Sequence, residues 1–178
     1  MGDTRAPADQ AGRSGQSGKA GRGGPGGAGA LLEEIPFAAG LGARLTSAGP
    51  DRVVGELDHA PGLCTAGGVL HGGALMSLAD TAGAVCAFLN LPDGAATATV
   101  ESGTRFFRGV REGTVRAVAV PRHVGRSTIA VRVELFDSAG RLVGETAQTQ
   151  AVLGRPAPEK VKPTNSAKRK TMRFPSEK

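Results

Sequence analysis

The feature that most constrains the fold is one long apolar segment, VLHGGALMSLADTAGAVCAFL, at residues 69–89. At roughly 100° per residue, its bulky side chains form one helical stripe: Leu75, Leu78, Ala82, Val85 and Leu89. The sequence therefore predicts a helix over 72–89 whose stripe is covered by other elements. The segment could span a membrane by length, but small residues dilute it and it contains His71 and Asp80. A buried helix is favoured, and no membrane partner is expected.

Segments rich in Val and Thr flank this helix. After it, four stretches at 97–109, 114–124, 127–137 and 141–153 partly alternate apolar with polar residues and are divided by short turn signals. This pattern predicts four consecutive antiparallel strands joined by hairpins. Before the helix, residues 42–58 indicate a further hairpin that turns at AGPD. The order of elements predicts an α+β fold in which a curved antiparallel sheet wraps one long central helix.

Composition divides the 178 residues into one core and two tails. Residues 1–30 are rich in Gly, Ala and Ser, and residues 155–178 are rich in Pro and Lys, so we expect both to be disordered. The core domain, 31–154, holds ten Arg, no Lys and twelve acidic residues, so the net charge of +6 belongs to the tails. Because the core has no basic excess and no Trp or Tyr, nucleic acid is not an expected partner.

The cysteines and histidines predict neither a disulfide framework nor a metal site. Cys64 and Cys86 form no Cys-x-x-Cys pair. His59, His71 and His123 show no metal-ligand spacing with them or with the acids. The first thirty residues contain no apolar run that could form the core of a signal peptide. We therefore expect a cytoplasmic protein without a metal.

Asp80 is predicted to lie on the helix face opposite the apolar stripe. Its neighbours three and four residues away are Met76, Ser77, Gly83 and Ala84. Such small residues let a second chain or a slender ligand approach the backbone. The carboxylate could simply be exposed to solvent, but an exposed face normally carries several charges. A general base in a crevice is therefore the favoured interpretation.

The start of the helix is a second candidate site. The sequence HGG at 71–73 leaves backbone N–H groups open at the positive end of the helix dipole, where a developing oxyanion could bind. Alternatively, the glycines only provide a tight turn into the helix. Gly72 and Asp80 are eight residues apart, or about 12 Å along a helix. If both groups act in one reaction, they come from different copies of the chain, which favours a dimer with sites at its interface.

The chain resembles the hotdog-fold acyl-CoA thioesterases of the phenylacetate-pathway (PaaI-like) type. The resemblance covers about 35–153 and rests on His-Gly-Gly followed by an Asp nine residues after the His, with RFFRG, HVGR and DSAGRLV in the expected order. It implies the hotdog fold and homodimers with a continuous sheet, often dimers of dimers. It also implies hydrolysis of an acyl-CoA thioester to free acid and CoA, without a cofactor.

The resemblance further implies roles for individual residues. Asp80 would be the general base or the nucleophile, and the Gly72 N–H would polarise the thioester carbonyl from the facing subunit. His71 would position that loop or the thioester, and Thr99 would lie near the attacking water. The residues expected to bind substrate or line the CoA groove are Thr65, Gly73, Gly125, Arg126 and Ser127.

Thr65 departs from the family pattern, because relatives commonly have Asn or Gln six residues before the His. Threonine can form hydrogen bonds but is shorter than an amide side chain. A non-catalytic acyl-CoA-binding or sensing protein on the same fold is therefore the alternative function. A hotdog dehydratase is disfavoured, because its usual His and acidic pair on the helix is not matched. The sequence does not specify the acyl group.

Overall fold

The computed structural model describes residues 25–154, so the interpretation of 1–24 and 155–178 as disordered lies outside the described residues. A short 3-10 helix, Pro61–Leu63, precedes the long helix. The other elements are α1 (Pro25–Glu33), α2 (Pro36–Gly40), β1 (Arg44–Ala48), β2 (Val53–Asp58), α3 (Gly72–Leu89), β3 (Ala96–Phe106), β4 (Thr114–Val124), β5 (Thr128–Phe136) and β6 (Leu142–Leu153).

Helix α3 is the central helix of the core and has the predicted bounds. Four of the five stripe residues are at most 4% exposed, namely Leu75, Leu78, Ala82 and Val85, while Leu89 is partly buried. The helix packs against strands of the sheet, chiefly β4, β5 and β2. The helix has the length and mean hydropathy of a membrane span, yet 56% of it is buried inside the protein. This burial identifies it as a core helix.

The sheet has six strands in the order β1-β2-β4-β5-β6-β3, and every neighbouring pair is antiparallel. The predicted turn between β1 and β2 is confirmed, as are the hairpins β4–β5 and β5–β6. The predicted hairpin between β3 and β4 is wrong, because β3 pairs with β6 whereas β4 pairs with β2. Polar side chains of β3 and β6 contact each other at this edge of the sheet. For example, the Thr104 and Thr146 hydroxyls form a hydrogen bond of 2.7 Å.

Helix α1 corrects the predicted start of the core. It begins at Pro25, within the 1–30 segment whose composition predicts disorder. Ala28 is fully buried and Leu32 is 9% exposed, one helical turn apart, and α1 packs against β1. The composition of this segment did not predict the helix, because the residue that α1 buries here is an alanine. A helix is recognised in a sequence by regularly spaced bulky residues.

The burial of the stripe predicts the effect of shortening one of its side chains. Leu78 is 2% exposed, so Leu78→Ala should lower the free energy of unfolding by about 2–5 kcal/mol, since it removes buried methyl groups and leaves a cavity. Val124→Ala, at a half-exposed position on β4, is the control and should stay within about 0.5 kcal/mol of wild type. Denaturant unfolding followed by circular dichroism measures both, and equal losses would contradict this account of the core.

Candidate active site

The start of α3 presents one free backbone donor. His71 is the N-cap, and its Nδ1 accepts a hydrogen bond from the Gly73 N–H at 2.8 Å, so the neutral ring carries its proton on Nε2. The His71 carbonyl accepts from the N–H groups of Ala74 and Leu75 at 2.9 and 3.2 Å. The Gly72 N–H has no acceptor among residues 25–154. It is therefore available to a ligand at the positive end of the helix dipole.

The loop before α3 is held by backbone hydrogen bonds. The His71 N–H donates to the Leu63 carbonyl at 2.8 Å, and the Thr65 N–H donates to the Val69 carbonyl at the same distance. The Thr65 side chain is exposed, and its hydroxyl has no hydrogen-bond partner in the part of the chain that the structure describes. Thr65 therefore lies in the loop that leads into the helix start, with its hydroxyl open to solvent.

A cleft of about 350 Å³ lies beside Gly72. Its walls combine one cation, Arg108, with the apolar side chains of Val69, Leu70, Leu75, Phe106 and Phe107. The Phe106 ring covers Gly72 so closely that a Cβ on this glycine would lie 3.1 Å from the ring. Both phenylalanines are about half exposed. The free N–H of Gly72 thus borders an open aromatic cleft.

The Asp80 carboxylate is fixed through one of its two oxygens. Asp80 is partly exposed, and its Oδ1 accepts hydrogen bonds from Gln148 Nε2 and from the Thr99 hydroxyl, the latter at 3.4 Å. Its Oδ2 has no hydrogen-bond partner within the described residues. The structure therefore brings Asp80 and Thr99 together, and one carboxylate oxygen stays open.

A β-bulge sets the position of Thr99 on the edge strand. The register of β3 against β6 shifts between Thr99 and Glu101, and bulges of this kind re-aim side chains. Thr99 lies opposite Gln150, whose Nε2 donates to the Thr99 hydroxyl oxygen at 2.8 Å. The Thr97 hydroxyl donates in turn to Gln150 Oε1 at 3.1 Å. These contacts direct the Thr99 hydrogen towards Asp80.

The sequence reasoning missed two glutamines that support the carboxylate. Gln148 and Gln150 are 2% and 0% exposed. Gln148 reaches Asp80 on α3, and Gln150 bonds to Thr97 and Thr99 on β3. The available signal was the alternation in ETAQTQ, since polar residues at every second strand position share one face. Gly83 was expected on an open face, but it lies under Gln148 of the same chain, and a methyl group there would overlap Gln148 Oε1.

The remaining candidate residues lie in the turn between β4 and β5. Arg126 and Ser127 are exposed, and Gly125 is partly buried. The Ser127 carbonyl accepts from the Val152 N–H at 2.8 Å, which ties the turn to the end of β6. None of the hydrogen bonds described for residues 25–154 joins this turn to Asp80 or Gly72. The turn nevertheless lies at the same end of the sheet as Thr99, since Ile129 just after the turn and Thr99 on β3 both pair with Gln150.

The buried cysteine of α3 and the ion pair in a second cleft do not add a nucleophile to this site. Cys86 is buried, and desolvation raises the pKa of its thiol to about 11, so it is a poor nucleophile at neutral pH. A second cleft, of about 560 Å³, lies over β3, β5 and β6. Gln148 borders it, but none of the site residues predicted from the sequence does. There Arg132 pairs with Glu145 at 2.7 Å. Within residues 25–154, no group of three or more His, Cys, Asp or Glu could hold a metal ion.

Gly72 and Asp80 lie on one uninterrupted helix. Their separation along its axis is therefore about 12 Å, from a rise of 1.5 Å per residue. A thioester carbonyl bound at the Gly72 N–H cannot also lie against the Asp80 of the same chain. A complete site of this kind needs the two groups from different copies.

Comparisons with known proteins agree with this architecture. Residues 67–144 match the family model described as thioesterase superfamily. The chain is 41% identical to the predicted esterase ComA2 of Bacillus subtilis over 88 residues, which are 48% of this chain and 69% of ComA2. It is 34% identical to the proofreading thioesterase EntH of Cronobacter sakazakii over 87 residues, or 49% of this chain and 64%, just under two thirds, of EntH.

A solved structure shows the same similarity. The PaaI protein of Escherichia coli, from the phenylacetic acid degradation operon, superposes with a TM-score of 0.64 and 25% sequence identity. The superposition covers 71% of this chain and 90% of PaaI. The similarity therefore includes almost the whole of that relative.

Proposed function

This chain belongs to the thioesterase superfamily and has the hotdog fold, and from that premise we propose that it hydrolyses an acyl-CoA thioester to a free acid and CoA. The observation that carries the proposal is the Asp80 carboxylate, held through Oδ1 while Oδ2 stays open. A carboxylate fixed in this way can take a proton from water or attack a carbonyl carbon. The unpaired Gly72 N–H supplies the complementary group for the carbonyl oxygen.

The proposed reaction proceeds by acyl transfer to water. The thioester carbonyl oxygen accepts the Gly72 hydrogen bond, which stabilises the negative charge that develops there. Asp80 removes a proton from water, the water oxygen bonds to the carbonyl carbon, and the C–S bond then breaks. The proton returns from Asp80 to the CoA sulfur. In the nucleophilic alternative, Asp80 attacks the carbonyl carbon and the C–S bond breaks, which leaves a mixed anhydride and CoA thiolate. Water then hydrolyses the anhydride to the free acid and the Asp80 carboxylate, and a proton from that water neutralises the CoA thiolate.

We propose that the working unit is a homodimer or a dimer of dimers, with each site shared between two chains. The edge strand β3 supports this, because no described strand pairs with its outer side and Val100 there is 66% exposed. An open edge of eleven residues is a template for pairing with a second copy. An isologous pair would have two equivalent sites, in which the Asp80 of one chain meets the Gly72 of the other.

The other candidate residues are proposed to bind the substrate. Arg126 is an exposed cation that suits a CoA phosphate, with Gly125 and Ser127 beside it. Thr65 and Gly73 lie near the helix start, where the thioester would bind. The aromatic cleft next to Gly72 would receive the acyl group. A cytoplasmic location completes the proposal, since both cysteines are free thiols, as in reducing compartments.

A specific observation favours the alternative of an acyl-CoA-binding protein without catalysis. The Thr65 hydroxyl has no hydrogen-bond partner among the described residues, and it is shorter than the amide that relatives commonly have there. Calorimetric binding of an acyl-CoA without release of thiol by the wild-type protein would support that alternative. Thiol release from any member of a panel of aryl, short-chain and long-chain acyl-CoAs would support the thioesterase.

The first prediction of the proposal concerns the carboxylate. Asp80→Asn keeps the shape of the side chain but removes the base, so turnover should fall at least about a hundredfold. Released CoA thiol, trapped with a chromogenic disulfide, measures the rate. Circular dichroism and size exclusion should show the same fold and assembly as wild type. Turnover within a few-fold of wild type would remove Asp80 from the mechanism.

The backbone donor can be tested by a matched pair of variants at Gly72. Proline is tolerated at the first position of a helix and removes the N–H, and the extended backbone of the preceding His71 accommodates it. Gly72→Ala keeps the N–H and brings the same Cβ against the Phe106 ring. We expect kcat of Gly72→Pro to be about 10²–10³ lower than that of Gly72→Ala. Equal rates would show that this N–H plays no part.

Mixed dimers test whether a site is shared. When Asp80→Asn and Gly72→Pro chains pair at random, half of the dimers are mixed, and each mixed dimer regains one intact shared site. Activity per chain should therefore recover to about a quarter of wild type, although each variant alone is inactive. Co-refolded chains, with the thiol assay before and after mixing, provide the measurement. If activity does not recover although mixed dimers form, the two groups act within one chain.

A further inference from the structure

We propose that Gln148 is a positioning residue for Asp80 and that Gly83 provides the space that admits its amide. The inference rests on the proposed function, because it assigns a task to a residue that acts through the carboxylate. Gln148 lies on β6, far from Asp80 in sequence, and its Nε2 donates to Asp80 Oδ1. It contacts the carboxylate and does not reach the open Oδ2 side where water or substrate would bind.

The burial of Gln148 is the first argument. The side chain is 2% exposed, and its Oε1 is buried without a hydrogen-bond partner in the described part of the chain. A buried amide oxygen without a partner costs stability, and an apolar side chain at this core position would avoid that cost. We therefore infer that the Gln148 amide is present for the hydrogen bond that its nitrogen donates to the Asp80 carboxylate.

Gly83 is the second and independent argument. A Cβ at Gly83 would overlap Gln148 Oε1 and lie only 3.0 Å from its Cδ. Gly83 is in the middle of α3, where glycine destabilises a helix relative to alanine. It lies three residues after Asp80, so the two share a helix face. A buried amide at position 148 and a glycine within the helix at position 83 are each unfavourable for stability. They are in contact with each other, and the amide needs the space above Gly83 to reach the Asp80 carboxylate.

The orientation of Asp80 is what this contact determines. Gln148 Nε2 and the Thr99 hydroxyl both donate to Oδ1, and Gln150 Nε2 donates to the Thr99 oxygen from behind. Two donors on one oxygen fix the rotation of the carboxylate about its terminal bond. Oδ2 is then presented to the open side. Without Gln148, only the longer 3.4 Å contact with Thr99 would hold it.

The primary test replaces the amide while keeping the length of the side chain. Gln148→Met should lower kcat by roughly ten- to a hundredfold with a KM change below about threefold, because a misaligned base slows the chemical step and leaves substrate binding intact. Thr146→Val is the matched control, since Thr146 is equally buried on β6 but bonds to Thr104. It should keep wild-type kcat. An equal loss of kcat in both variants would indicate a structural effect and overturn the inference.

A second test separates the space at Gly83 from general damage to the helix. Gly83→Ala should lower kcat by pushing the amide off Asp80. In a Gln148→Ala background the added methyl has room, so Gly83→Ala should cause no further loss. If the two losses multiply, Gly83 acts independently of Gln148, and its assigned role is wrong. If Gly83→Ala does not fold, the Gln148→Met result decides the proposal by itself.

The outcomes also distinguish this inference from the proposed function. If Asp80→Asn retains wild-type turnover, the thioesterase mechanism itself fails. If Asp80→Asn is inactive but Gln148→Met stays within about threefold of wild-type kcat, catalysis by Asp80 stands and only the positioning role fails. Thiol release from the same acyl-CoA provides the readout in every case.

Discussion

The packing of α3 into the curved sheet is the contact on which the rest of the molecule depends. With Leu75, Leu78 and Ala82 buried against the strands, the helix has one permitted rotation about its axis. That rotation places Asp80 next to the β3–β6 edge and leaves the helix start beside Phe106. The hydrophobic effect thus fixes the orientation of polar groups that it does not itself contact.

The polar side chains beneath Asp80 reverse the usual preference of a protein core. Gln148 and Gln150 occupy positions on β6 where a strand facing a helix normally carries Val or Ile. Their N–H groups donate to Asp80 and Thr99. An amide here stabilises the fold less than an apolar side chain would, but it holds the Asp80 carboxylate in one orientation. Such departures from local rules are expected at functional sites.

The helix and most strands could be predicted because their signals are local. The bounds of α3, the β1–β2 turn and the β4–β5 and β5–β6 hairpins all follow from periodicity and turn residues. The position of β3 could not, because its pairing with β6 is decided between segments some fifty residues apart. The distance in sequence between Asp80 and Thr99 does not predict their contact. The contact depends on the pairing of β3 with β6 and on the bulge in β3. Gln148 was missed because its alternating pattern was interpreted only as a strand.

The bulge at Val100 has a consequence for how the molecule meets other copies of itself. A long exposed edge with regular hydrogen-bonding groups invites open-ended cross-β stacking. The shift between Thr99 and Glu101 interrupts that regularity and increases the local twist. A strand from a second copy that pairs with β3 must accommodate the bulge. One register of pairing is therefore favoured over the others. The irregularity that aims Thr99 therefore also makes a regular stack of strands along this edge less favourable.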